Sequence, residues 1–443
     1  MRRLQEFAVL PVRTVRLWLS YLPQLVSIFL IGWIIRTLGT NAAVTIGQAN
    51  RVLATLLYVV GVVAQVLAMI AMIRLLKPGL RMDRLTAGER RPGVPAEALR
   101  TEPLVDVLLL SIGPFLAVYA VWKLIDAWVS DLFLWNIALK PDLRAQDAWS
   151  ISTDAGQLPL FLAIGGSAFI LRIAYQFLTR GRRNPWIRLP LVVLESLWAF
   201  CLFLITLIGV DQLKTWLQTR AVTRWLQVGW QGFLDRLPDL TLPFGLTLPA
   251  AVAEATGWIW ETLLPAVWNS FALPLAWLAL AATVLGWRHF RVRDVVTGRL
   301  SERIDRFTPT STAGRSLLRV GSVLGADLRD KYVPVLHALS LIRRAGPILL
   351  GAFIVWYAVL TTGQSLLHQL TVAWFGPGET DRFVAFMQWA QLPSELLCQT
   401  LLPALLVTTL DRGLNHLAAE PAEAPSDPEP ALTRAPAARP ARS

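Results

Sequence analysis

Cysteine is nearly absent from this sequence, which has only Cys201 and Cys398 among 443 residues. Both lie inside long apolar runs. A disulfide framework needs several paired cysteines, and a thiolate metal cluster needs closely spaced ones. Both kinds of structure are therefore excluded.

Histidine is also scarce, and catalytic motifs are missing. None of the four histidines has the H-x-x-x-H or H-E-x-x-H spacing of a metal site; they are His289, His337, His368 and His416. The sequence has no G-x-S-x-G, no Walker-type G-x-x-x-x-G-K and no G-x-G-x-x-G. Hydrolases, nucleotide-driven pumps and dinucleotide oxidoreductases rely on those motifs. We expect no metal and no cofactor, and the missing motifs favour a non-catalytic protein over an enzyme.

Charged residues make up 16% of the chain and hydrophobic residues 54%, whereas soluble domains have about 25% charged residues. The apolar residues are gathered in runs of about twenty, the length of a helix that crosses a bilayer. This pattern predicts an all-α integral membrane protein with about eight transmembrane helices, at 17–35, 52–73, 104–122, 159–178, 189–210, 266–287, 346–368 and 393–410.

The basic residues predict the orientation of these spans. Segments that would share one side contain 31 Lys and Arg, and the opposite loops contain ten; the basic segments are 1–16, 74–103, 179–188, 288–345 and 411–443. By the positive-inside rule both termini are cytoplasmic and the membrane is the plasma membrane. The net charge of +12 follows from this asymmetry, so nucleic acid is not an expected partner. The 37 Arg against 5 Lys indicate a bacterial source.

The spans form one polytopic domain over 1–410, followed by a cytoplasmic tail over 411–443. From about residue 419 the tail is dominated by Ala and Pro without apolar periodicity, which predicts disorder. The first apolar run is longer than a signal-peptide core, so we expect an uncleaved anchor.

Two predicted outer loops are long and rich in tryptophan. The first contains Trp128, Trp135 and Trp149. In the second, apolar residues recur at helical spacing over 211–237, which predicts an amphipathic helix in the outer interface or across the tops of the spans. Four prolines interrupt 238–265, which fits a surface loop with a short helix or a re-entrant element.

The predicted inner loop 288–345 is strongly basic. Its first part alternates apolar residues with a set of arginines, Arg288, Arg291, Arg293, Arg299, Arg303 and Arg306. Such a segment binds anionic lipid headgroups on the inner leaflet or docks a protein partner.

Two charges lie well inside predicted spans. Arg172 is six residues from the end of its span and Glu195 is six residues into the next. Because a short basic loop joins these spans, the two helices are antiparallel neighbours and the charges stand at matching depth, about 9 Å from the surface. An ion pair offsets much of the burial cost of both charges. A structural clamp is the favoured role, and a group lining a substrate path is the alternative.

A second polar cluster lies near the outer end of the last two spans. It consists of His368, Glu395, Gln364 and Gln399. His368 and Glu395 could meet there and exchange protons, since histidine titrates near neutrality. The alternative is ordinary wetting of helix ends at the interface.

These observations leave three functional hypotheses. The first is a non-catalytic accessory or scaffolding subunit of a cell-envelope or transport assembly, which binds a membrane-protein partner. The second is a stand-alone transporter or channel whose polar path runs through spans 4, 5, 7 and 8. The third is a membrane-embedded enzyme that acts on lipids.

Overall fold

A computed structural model describes residues 2–79, 104–121, 132, 135–136, 155–179, 185–238, 240, 247–285, 347–376 and 380–419. These residues are almost entirely helical. The ten α-helices among them are α1 (Arg2–Ile46), α2 (Arg51–Leu75), α3 (Leu104–Val121), α4 (Leu158–Leu178), α5 (Pro185–Gln218), α6 (Ala221–Leu234), α7 (Leu248–Trp258), α8 (Leu264–Val284), α9 (Pro347–Phe375) and α10 (Thr380–Ala419).

Seven helical segments of the described chain are long and apolar enough to cross a membrane: Val9–Ile46, Arg51–Leu75, Leu158–Leu178, Ile187–Gln218, Leu248–Val284, Ile348–Phe375 and Trp389–Gly413. The chain is therefore a multi-pass membrane protein. The run predicted at 104–122 coincides with α3, an apolar helix too short to count among the seven. The count of eight spans and the orientation remain predictions, and the basic loop 288–345 and the tail beyond 419 lie outside the described residues.

Glycines hold α1 against α2. A Cβ added at Gly32 would stand 2.7 Å from the Ala68 Cβ, and one at Gly39 would stand 2.8 Å from the Leu57 carbonyl oxygen. In the other direction, a Cβ at Gly61 would stand 3.1 Å from the Arg36 backbone. Small residues allow such close backbone packing between membrane helices. Arg36 is thereby fixed beside the interior of α2, about 15 Å from its first residue.

Side-chain contacts spread along α1 and α10 join the first helix to the last. The Thr14 and Thr408 hydroxyls are 2.8 Å apart, and Trp18 Nε1 donates to the Thr400 hydroxyl at 3.0 Å. Nearer the other end, the ring centroids of Trp33 and Trp389 are 5.7 Å apart. Helices α3 and α8 complete the core beside them, with Trp277 edge-on to two aromatic rings of α3.

The α4–α5 hairpin has a register that several contacts define. A Cβ at Gly165 would stand 2.8 Å from the Cys201 Cβ, and the Phe169 and Trp198 rings lie 4.8 Å apart. Helix α4 has 21 residues, about 31 Å, which matches the roughly 30 Å hydrocarbon core of a bilayer. Helix α5 has 34 residues and extends well past α4.

The structure gives more detail on two sequence-based expectations for the outer region. The predicted amphipathic helix over 211–237 is split, because α5 continues to Gln218 and α6 begins at Ala221. The segment 238–265, expected as a surface loop with a short helix or as a re-entrant element, contains the helix α7, which joins α8 through a π-helical turn at Ile259–Leu263. Pro249 lies in the first turn of α7, where no backbone donor is needed. Pro265 is the second residue of α8, again in a first helical turn.

Candidate functional site: two ion pairs and a protruding arm

The first ion pair lies within the α4–α5 hairpin. Arg172 Nε on α4 contacts Glu195 Oε2 on α5. Their side chains are only 13% and 4% exposed. Gly165 and Ala168, on the same face of α4, are buried and bring α4 close to α5. The structure thus brings together the two residues that the sequence suggested.

The second ion pair links the two ends of the chain. Arg36 Nη2 on α1 donates to Glu395 Oε2 on α10 at 2.8 Å. The two side chains are 17% and 19% exposed, so this pair is more accessible than the first. From the sequence, Arg36 was expected in an outer loop and Glu395 beside His368. The structure instead gives Glu395 a permanently charged partner, the Arg36 guanidinium.

Aromatic polar groups from two further helices lie near the second pair. Buried Tyr119 on α3 is within electrostatic reach of Arg36 and Glu395. The Tyr119 ring is edge-on to Trp277 on α8, with the ring centroids 5.5 Å apart. The cluster therefore combines one cation, one carboxylate, a phenol hydroxyl and an indole from four helices. Such convergence of polar groups inside a helical membrane domain is typical of functional positions.

The other predicted members of this region lie on α9 and α10 without joining the pair. His368 is half-buried, and its Nδ1 has no hydrogen-bond partner. Gln364 and Gln399 are also half-buried. The helices meet here through Thr371, whose hydroxyl donates to the Ala390 carbonyl oxygen at 2.8 Å. The six arginines of the predicted basic loop, Arg288 to Arg306, lie outside the described residues.

A protruding arm forms the third candidate site. We define it as 210–218 of α5, helix α6, helix α7, the π-turn and α8 as far as Phe271. Large apolar side chains along it are exposed: Val210, Leu213, Trp216, Leu217, Trp225, Leu226, Val228, Trp230, Phe233, Trp258, Ile259, Trp260, Leu263, Leu264, Val267, Trp268 and Phe271. Within it Arg220 lies over the Trp216 ring at 4.1 Å, and Trp230 stacks on Phe233.

The arm extends beyond the level at which α4 begins. Counting back seven residues from the Gly165–Cys201 contact reaches Leu158, the start of α4, and counting forward as far on α5 reaches Ile208. From the next residue, Gly209, to Gln218 every residue of α5 is exposed. The remaining turns of α5 carry α6 about 14 Å further out.

Comparison of the chain with protein-family models, with curated proteins and with solved structures finds no match. The function therefore has to be argued from the geometry of these three sites. Among the described residues, no group of three or more His, Cys, Asp and Glu is arranged to hold a metal ion.

Sequence reasoning missed Arg36 because it ended the first span at residue 35. One signal could have corrected this. The fourteen residues after Arg36, 37–50, contain no charge at all, so the helix can continue without exposing an unpaired charge to lipid. The eventual partner, Glu395, is 359 positions away in the sequence.

Proposed function

We propose that this protein is a non-catalytic subunit of a cell-envelope or transport assembly, and that the protruding arm binds a second membrane protein. The observation that carries the proposal is the number of large apolar and aromatic side chains that are exposed along the arm. Monomeric soluble proteins rarely leave large apolar patches uncovered in water. We assign the protein to a bacterial plasma membrane with both termini cytoplasmic, on the asymmetry of its basic residues.

Lipid is a poor cover for the distal part of the arm. The hydrocarbon core is about 30 Å thick and the headgroups add roughly 5 to 8 Å on each side. Helix α6 begins about 14 Å beyond the level of Leu158, the first residue of α4. The length of α4 itself matches the thickness of the hydrocarbon core. We therefore place the exposed side chains of Trp225 and Leu226 beyond the headgroups, where a protein partner can bury them.

The composition of the arm defines the partner's chemistry. Tryptophan is the residue most enriched among binding hot spots, and Trp225 and Trp260 are 74% and 71% exposed. Over 210–271 the sequence has four basic and five acidic residues, so no strong field of one sign attracts the partner. We expect a membrane-anchored protein with an apolar, aromatic-accepting surface just outside the bilayer, on the same side as the arm.

Site-specific photo-crosslinking tests this proposal. A photoreactive phenylalanine analogue replaces Trp225 or Leu226 in the arm, which are 74% and 69% exposed, or Leu162 or Ile170 on α4, which are 53% and 67% exposed but lie at bilayer level. We expect the arm positions to capture one and the same protein at near-equal stoichiometry in native membranes. The α4 positions should capture lipid. Capture of lipid alone at both arm positions would overturn the proposal.

A transporter is the second candidate, and the Arg36–Glu395 pair is the observation that favours it. Binding sites of secondary transporters lie within the bundle and use charged groups from several helices. Solute flux in proteoliposomes separates the two functions: a subunit shows none by itself, and loss of flux in Arg36→Gln would support transport.

A further inference from the structure

We propose that Arg36 is the centre of a binding site for an oxyanion group, such as a phosphate, and that Glu395 occupies the ligand's place until the ligand displaces it. This inference is independent of the protruding arm and of the partner assigned to it. The ligand chemistry is that of a phosphate carried either by a membrane amphiphile or by a free solute.

The two ion pairs differ in a way that points to ligand access at only one of them. Glu195 is 4% exposed and sits within a local hairpin, so nothing can replace it at Arg172 without separating α4 from α5. Glu395 is 19% exposed and Arg36 is 17% exposed. An incoming anion can therefore approach the guanidinium, whose planar fork binds phosphate and carboxylate alike.

A neighbouring side chain supplies a hydrogen-bond donor suited to an anion. Buried Tyr119 lies within electrostatic reach of both charges, and its ring is edge-on to Trp277, with the centroids 5.5 Å apart. A phenol hydroxyl donates to an oxyanion. An incoming anion and the Glu395 carboxylate compete for the same guanidinium N–H groups of Arg36.

The bundle can release Glu395 without coming apart. Helix α1 remains attached to α10 through the Thr14–Thr408 and Trp18–Thr400 hydrogen bonds. Close packing of Gly61 keeps the Arg36 backbone in place beside α2. Displacement of one carboxylate is therefore a local rearrangement of the Glu395 side chain.

The test measures binding of dodecyl phosphate, of inorganic phosphate and, as a neutral control, of added dodecyl maltoside to the purified full-length protein. Tryptophan fluorescence and native mass spectrometry give the dissociation constant and stoichiometry. We expect one saturable phosphate site. Glu395→Gln should lower the dissociation constant about tenfold, because it removes a competitor that keeps the site closed about nine-tenths of the time.

The hairpin pair provides the matched control. Glu195→Gln should leave the dissociation constant unchanged, and Arg36→Gln should abolish saturable binding. If dodecyl phosphate binds and inorganic phosphate does not, the phosphate is carried by a membrane amphiphile. If inorganic phosphate binds equally well, the ligand is a free solute. Unchanged or weaker binding by Glu395→Gln would overturn the proposal. If Arg36→Gln does not fold, the contrast between Glu395→Gln and Glu195→Gln decides by itself.

Discussion

The two ion pairs of this membrane domain use the same residue types in different ways. Arg172 and Glu195 are on consecutive helices, deeply buried, and their contact completes a hairpin whose small residues already bring the backbones together. Arg36 and Glu395 join the first helix to the last, are more exposed, and lie within electrostatic reach of Tyr119. A buried local pair is best understood as a clamp, whereas an accessible pair between distant helices can be opened by a ligand.

The largest expected effect comes from removing one charge of the hairpin pair. Arg172→Ala leaves Glu195 buried without a counter-charge, which costs about 3 to 5 kcal/mol. Thermal unfolding in detergent and the folded yield by size exclusion measure this. The charge-swapped double variant, Arg172→Glu with Glu195→Arg, should recover part of the loss. Normal folding of Arg172→Ala combined with loss of activity would show that the pair is functional rather than a clamp.

A second prediction tests whether close packing holds the clamp in position. Gly165→Ala places a Cβ 2.8 Å from the Cys201 Cβ, so α4 has to move away from α5, at a cost of about 1 to 3 kcal/mol. Gly166→Ala is the matched control, since nothing lies within 4 Å of the added Cβ. It should be neutral or stabilising because alanine favours the helix. Equal melting temperatures for both variants would contradict the packing argument.

The accessible pair should matter less for stability. Glu395→Ala leaves Arg36 partly exposed, and the Thr14–Thr408 and Trp18–Thr400 contacts still join α1 to α10. We expect a loss of about 1 to 2 kcal/mol, between the values for surface and buried pairs. Thermal unfolding of Glu395→Ala and of Glu195→Ala, each compared with the unmodified protein, measures the difference between the two losses of stability. A larger loss in Glu395→Ala than in Glu195→Ala would reverse the roles assigned to the two pairs.

The same contrast explains what could be predicted from the sequence. A six-residue connection between α4 and α5 makes the helices neighbours and sets the depth of Arg172 against Glu195, so their pairing followed from the spacing. No such constraint relates α1 to α10, and the contact of Arg36 with Glu395 depends on how the helices assemble in three dimensions. The helix in 238–265 was expected to be short because prolines interrupt the segment, whereas Pro249 and Pro265 lie in first helical turns, which tolerate them.

The smallest expected effect on stability belongs to the arm. Trp225→Gln and Trp260→Gln alter side chains that are 74% and 71% exposed, so the isolated protein should change by less than about 0.5 kcal/mol. The same variants should lose the partner from native-membrane purifications, because each removes a large aromatic contact from the interface. Leu162→Gln on α4 is the control, since it is exposed at bilayer level and should not affect the partner. Retention of the partner by the double arm variant would mean that the assembly uses another surface, and a marked drop in the melting temperature would mean that these tryptophans stabilise the chain itself.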